Sequence, residues 1–235
     1  MRGSIVVRTF SMAMVLIAVL AVVSVIDLLA ARNVGLRVQR ITGSYLAMDG
    51  GVARADAYST EEAYRTRQYI AAKTLGLHDP GSNPDATIAD LKDLEGKIDE
   101  SLADARDATV TEMYNSDPLI DQDALKRIAG RIARIQTNEH SDLVRQVDLI
   151  QAYDRGDKAT FRQSFGDLAK WRAGYDEYLD ATRWMVFHAA QDAGDHVARY
   201  QKKSAFFSVG LLALAGALTI VMAWFLSQKM VRPDT

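Results

Sequence analysis

Two uncharged apolar stretches bracket this chain, and between them apolar residues recur at helical spacing. Thr9–Ile26 is eighteen residues without a charge, flanked by Arg2, Arg8 and Asp27; Ser204–Leu226 is twenty-three, flanked by Lys202, Lys203, Lys229 and Arg232. A membrane-crossing helix needs about 20 apolar residues, within a range of roughly 17–25. Both stretches fit, so everything between them lies on one side of a bilayer. In that middle part Val34, Val38, Ile41, Tyr45, Met48, Val52 and Ala55 alternate steps of four and three. So, nearly, do Ile88, Leu91, Leu94, Ile98, Leu102 and Ala105. Leu125, Ile128, Ile132 and Ile135 repeat the pattern, followed by Leu143, Val147 and Ile150. Phe161, Phe165, Leu168, Trp171, Tyr175, Tyr178, Thr182 and Met185 form a fourth series. No period-two run bounded by turns interrupts them, which predicts helices and no strands.

Proline punctuates these series. It occurs only at Pro80, Pro84, Pro118 and Pro233, and in a helix interior it costs about 3 kcal/mol. Leu77–Asp85 reads as a loop ending with Asn83 as N-cap and Pro84 at the first helical position. Asp117 before Pro118 repeats the device, and Gly156-Asp157 closes one helix and opens the next. The predicted helices span about 28–77, 85–115, 119–153 and 157–203. At 1.5 Å per residue the outer two are rods of roughly 70–75 Å, and the inner two turn back before the bilayer. The predicted fold is therefore all-α, an up-down-up-down four-helix bundle flanked by two transmembrane helices. The expected segments are 1–8, a cytoplasmic N-terminus; 9–29, the first transmembrane helix; 30–203, the bundle; 204–226, the second transmembrane helix; and 227–235. Gly50-Gly51 is a weak point in the first helix, at about 1 kcal/mol per glycine against alanine, and suggests a bend.

Charge and composition narrow the classes. The 28 basic and 30 acidic residues give a net charge of -2 without a basic stripe, which argues against a nucleic-acid partner. With no cysteine, neither a disulfide framework nor a thiolate metal site is available. No glycine-rich phosphate loop, H-E-x-x-H or G-x-S-x-G motif is present, so an enzyme is not expected. Basic residues in the short flanks direct both termini to the cytoplasm and the bundle outside. The first apolar run exceeds a usual signal-peptide core and Leu29-Ala30-Ala31 is a poor cleavage site, so it reads as an anchor.

A short basic N-terminus, a membrane helix, a long–short–short–long bundle, a second membrane helix and a basic exit together resemble the sensory half of a bacterial methyl-accepting chemotaxis protein. Ala152–Ala159, with its Gly-Asp turn, is similar to the turn before the last helix of such bundles. Gln228–Pro233 resembles the opening of a HAMP signalling domain, where Arg-Pro follows the second membrane helix; family members continue well beyond it. The resemblance implies either a piece of a longer receptor or a protein without output. It implies an inner-membrane location with the bundle in the periplasm, no cofactor, and a homodimer joined through the first helices. That interface is expected along Val34, Val38, Ile41, Tyr45, Met48 and Val52, with Leu36 and Leu46 off the seam. The partners it implies are a small anionic ligand or a periplasmic binding protein. Signalling would be a small piston-like shift of the last helix.

The family's arginine triad for amino-acid carboxylates is absent: Arg54 is followed at the required spacings by Ser59 and Ala63. Height along the bundle supplies an independent candidate. One stratum collects Arg65, Arg67, Lys97, His140, Lys170 and Arg172, beside Trp171 and Tyr175. Arg65, Arg67 and Arg172, with Trp171 as an apolar wall, form the expected ligand site, because guanidinium groups favour carboxylate or phosphate. The plainer alternative is a solvated face offset by Glu62, Asp93, Asp99 and Glu139. His188, Asp192 and His196, each four residues apart, read as a polar stripe rather than a metal site, and Trp171, Trp184, Tyr175 and Tyr178 as core filling. Sensor and membrane-anchored scaffold both fit this sequence. The orientation is directly measurable: single cysteines at Ser82 and Gln228 are expected to differ toward an impermeant thiol reagent on intact cells, only position 82 reacting, and the reverse would overturn it.

Overall fold

The computed structural model describes residues 2–76, 83–115 and 120–231. Four helices account for nearly all of them: α1 (Arg2–Thr74), α2 (Pro84–Tyr114), α3 (Gln122–Asp154) and α4 (Lys158–Val231). Among the described residues there is no strand. α1 and α4, at 73 and 74 residues, are each one unbroken helix, and each contains a stretch long and apolar enough to cross a membrane.

The helix ends follow local chemistry. Asn83 Oδ1 accepts from the backbone N–H of Asp85 at 3.0 Å, and Pro84 opens α2. These are the first-turn donors that otherwise lack partners. α3 differs from expectation. It starts at Gln122, and Asp121 is its cap, accepting from the backbone of Asp123 at 2.9 Å and Ala124 at 3.1 Å; the expected cap Asp117 lies outside the described residues. At the other end Gly156 has φ 71°, and the amide of Asp157 reaches back to the Ala152 carbonyl at 3.0 Å. That is the left-handed closure a glycine permits. Asp157 then caps α4 by accepting from the Thr160 amide at 3.1 Å.

The chain divides into two compact units. One, Ile41–Ala193, takes a segment of all four helices. Its contacts give their directions: Ser44 and Arg54 of α1 bond Glu112 and Asp104 of α2, so these two are antiparallel. Thr66 and Lys73 bond Gln146 and Asp154 of α3, so α1 and α3 are parallel. The core is the expected seam: Ile41, Tyr45, Met48, Val52 and Ala55 of α1, Leu91, Leu94, Ile98, Leu102 and Ala105 of α2, and Leu125, Ile128, Ile132 and Ile135 of α3 are buried. On α4 the stripe rotates. Leu179 and Val186 are buried with Tyr175 and Thr182, whereas Tyr178 and Met185 are only half-buried. Trp184, expected in the core, is 63% exposed.

This burial takes in most of the seam on which the dimer interface was expected. Ile41, Tyr45, Met48 and Val52 are buried within the single chain. Val34 is half-buried and Val38 exposed. The exposed apolar side chains of α1 in this unit include Leu46 and Tyr64.

The other unit, residues 1–40 and 194–235, displays apolar residues outward: Ile17, Val22, Leu28, Phe206, Val209, Leu218 and Ile220 are exposed. Such a surface suits hydrocarbon rather than water. Inside it Ser208 donates to Asp27, which satisfies the acid that closes the first apolar run.

Gly51 shows what it contributes. A Cβ there would stand 2.6 Å from the Ser101 carbonyl oxygen and 2.7 Å from Ala105 Cβ, so the glycine permits α1 and α2 to approach backbone to backbone. Gly51→Ala is expected to cost about 1–3 kcal/mol through overpacking, lowering the melting temperature of the detergent-solubilised chain by circular dichroism. Gly96→Ala, where a Cβ meets nothing within 4 Å, should instead stabilise by up to about 1 kcal/mol. Equal melting of Gly51→Ala and wild type would contradict the close approach.

Candidate functional site: a buried carboxylate layer

The seam of α1 does not end at Ala55. Continued in the same steps of three and four it passes Ser59, Glu62 and Thr66 before returning to Tyr69 and Ala72, and all of these are buried. On α3 it runs from Ile135 through Glu139, Asp142 and Gln146 to Leu149 and Ile150, buried throughout. The helical periodicity that carries apolar side chains inward therefore also carries three carboxylates inward, at one height. α4 adds Arg172 and Tyr175 there.

The layer is only partly hydrogen-bonded. Thr66 Oγ1 donates to Gln146 Oε1 at 2.5 Å. Gln146 Nε2 donates to Asp142 Oδ2 at 2.9 Å and to Glu62 Oε2 at 3.3 Å. Arg172 Nη1 stands 3.3 Å from Asp142 Oδ2, and its Nε 3.7 Å from Asp176 Oδ1. The opposite oxygens, Glu62 Oε1, Asp142 Oδ1 and both of Glu139, make no hydrogen bond of ordinary geometry, and neither do Tyr175 Oη and Ser59 Oγ, although Glu139 stands close enough to Tyr175 and Glu62 to interact with both side chains. One oxygen from each of Glu62, Glu139 and Asp142 lies within 4.8 Å of the others.

Three buried acids facing one guanidinium is an electrostatic imbalance, and it moves their protonation. Burial raises the pKa of Glu62 well above the ordinary carboxylate range, and the charges of Glu139 and Asp142 raise it further. Glu139 is raised chiefly by burial, against the opposing influence of the Tyr175 hydroxyl it faces. Asp142 is raised to about 6 by burial, with Arg172 and Gln146 holding it down. Tyr175 is pushed up by burial and by Glu139. Desolvation and like charge act together here, and both favour the neutral carboxyl.

The four expected ligand residues do not converge on an anion. Arg65 is exposed and paired along its own helix with Glu61 at 2.9 Å. Arg67 and Arg172 line one cavity of about 60 Å³ with Ile70, Leu149, Phe165 and Leu168, but Arg172 is already engaged by Asp142. Trp171 stacks on Tyr175, ring centres 4.8 Å apart at 19°. Two other basic residues of that height sit beside acids: Lys97 pairs with Asp93, and His140 Nδ1 stands 2.9 Å from Glu95 Oε1. Glu62 and Glu139, which the plainer alternative placed on a solvated face, are buried. His188 packs on Trp184 at 3.9 Å between ring centres, and Asp192 and His196 are exposed. A signal for the layer was present: the heptad register, carried through polar positions rather than stopped at the last apolar one, names Glu62, Thr66, Glu139, Asp142 and Gln146.

Comparison with known proteins finds no matching family model, no matching curated protein and no matching solved structure.

The layer makes stability depend on pH in a stated direction. A carboxyl whose pKa is raised by folding adds stability that is complete below the ordinary carboxylate range and is lost as pH rises through its folded value. For Asp142 that loss runs from about 4 to about 6, and Glu62 and Glu139 carry it higher. Asp154 and Asp157, held low by Lys73 and Thr160 respectively, titrate below this window. In a chelator, the melting temperature is expected to fall from pH 5 to pH 8, and Glu62→Gln to flatten the decline and melt higher at pH 8. Superimposable pH profiles for the two proteins would refute the buried layer.

Proposed function

We propose that the chain is the input half of a two-pass sensory receptor of chemoreceptor type. In this reading it sits in a bacterial inner membrane, its four helices form an up-down-up-down bundle in the periplasm, and occupancy of the bundle interior reaches the cytoplasm by displacement of α4. One observation carries the proposal: α1 and α4 are each a single helix that holds both a membrane-length apolar stretch and part of the wall of the carboxylate layer. Glu62 belongs to α1, and Arg172 and Tyr175 to α4. Any change of charge in the layer therefore acts on helices that enter the membrane.

The layer also favours a sensor over a scaffold. Replacing buried ionic groups by well-packed apolar residues is often neutral or stabilising, so a protein that only held partners would gain from a plain apolar layer. Incompletely paired carboxylates give the interior two electrostatic states, and a two-state element biased by a ligand is what a switch requires. A second copy would meet the α1 face bearing Leu46 and Tyr64, which lie about five turns apart on one side of the helix, rather than the buried seam.

A chimera tests this. Residues 1–231 joined to the cytoplasmic signalling half of a characterised chemoreceptor, in cells without receptors of their own, are expected to control the associated kinase. Glu62→Gln should shift kinase output several-fold, and Glu177→Gln, on the exposed side of α4, should not. Output indifferent to Glu62→Gln would favour the scaffold.

A further inference from the structure

We propose that Glu62, Glu139 and Asp142, together with the Tyr175 hydroxyl, bind one oxygen-preferring divalent cation inside the helical unit. This names a ligand for the layer and rests on the sensor reading only for its consequence; binding itself is a property of these side chains.

Spacing comes first. Calcium, magnesium and manganese hold oxygen ligands at roughly 2.0–2.6 Å, so two oxygens on one ion stand no more than about 5 Å apart. One oxygen from each of the three carboxylates already meets that condition, at 4.8 Å or less.

Charge comes second. Ionised, the three carboxylates carry -3 and Arg172 +1, a net -2 in a space closed to bulk water. A dipositive ion cancels it. Arg172 cannot do so alone, because its Nη1 and Nε are directed to Asp142 and Asp176.

A fourth oxygen comes from a residue that is not an acid. Tyr175 is 4% exposed, its hydroxyl faces Glu139, and that hydroxyl makes no hydrogen bond of ordinary geometry. A buried hydroxyl normally makes one. Glu139 of α3 is contacted by both the Tyr175 hydroxyl of α4 and Glu62 of α1, yet neither of its oxygens has a hydrogen bond of ordinary geometry. Three helices thus contribute, and an ion would tie α4 to α1 and α3.

The donor set selects the class of ion. It contains oxygen only, with no histidine or cysteine, which disfavours zinc and copper and favours calcium, manganese or magnesium.

Manganese serves as the probe, on the full chain purified in detergent and stripped with chelator. Titration followed by electron paramagnetic resonance is expected to show one Mn²⁺ bound per chain and displaced by excess Ca²⁺. Glu139→Gln and Asp142→Asn should each weaken binding at least tenfold, and Tyr175→Phe, which keeps the ring on Trp171, several-fold. Glu177→Gln should leave it unchanged. Melting in chelator verifies that each variant is folded, and should either carboxylate variant fail to fold, Tyr175→Phe decides. Absence of stoichiometric binding, or binding indifferent to the folded variants among these three, overturns the site. Binding in this assay with an unresponsive chimera would leave the site standing and remove the sensor; a responsive chimera without binding would do the reverse.

Discussion

Everything distinctive about this protein depends on how three carboxylates tolerate one dry interior. Moving a charged carboxylate out of water costs several kcal/mol even after the protein relaxes, and Glu62, Glu139 and Asp142 have only Arg172 as a cationic neighbour among the groups bonded to them. The chain meets this constraint partly with dipoles. Gln146 spends both amide hydrogens on Asp142 and Glu62 while its carbonyl oxygen accepts from Thr66. What remains unsatisfied is on the far oxygens, and that remainder is what makes the interior responsive to protons and to cations.

The surrounding architecture is conservative. Above and below the layer the seams are aliphatic: Leu91, Leu143 and Ile150 pack with Tyr69 on one side, and Val52, Leu102, Leu125 and Ile132 are fully enclosed on the other. Burial of such side chains contributes on the order of 1.5–3 kcal/mol each, enough for a helical unit of this length to carry a few unfavourable groups. Gly51 brings two backbones close at one end. At the other, Lys73 and Tyr69 hold Asp154 where α3 closes. The polar layer thus lies between two well-packed apolar segments.

Helix positions were largely legible in the sequence because proline, glycine and capping residues act locally. Asn83-Pro84 and Gly156-Asp157 need no knowledge of tertiary structure to be recognised. Asp121 was missed because Asp117 before Pro118 offered an equally local signal. The stripe of α4 slipped by one position for a related reason: Tyr178 and Leu179 are both apolar neighbours of the seam, and packing rather than periodicity chooses Leu179. At the candidate site the height was legible and the sign was not. Charge counted along a helix cannot distinguish Arg65, which points to water and Glu61, from Glu62 one residue later, which points inward. The direction follows only when the register is carried from Val52 and Ala55 through the polar residues.

The central claim is that Glu62, Glu139 and Asp142 share one water-poor interior and that they are not all ionised at neutral pH in the absence of metal. Infrared difference spectroscopy of the chelator-treated full chain reads this directly, through the carbonyl stretch that a carboxylic acid shows and a carboxylate lacks. A protonated-carboxyl band that persists at pH 7, resists exchange into heavy water and is diminished in Glu62→Gln is the predicted result. A spectrum in which every carboxyl is ionised at pH 7 would contradict the account.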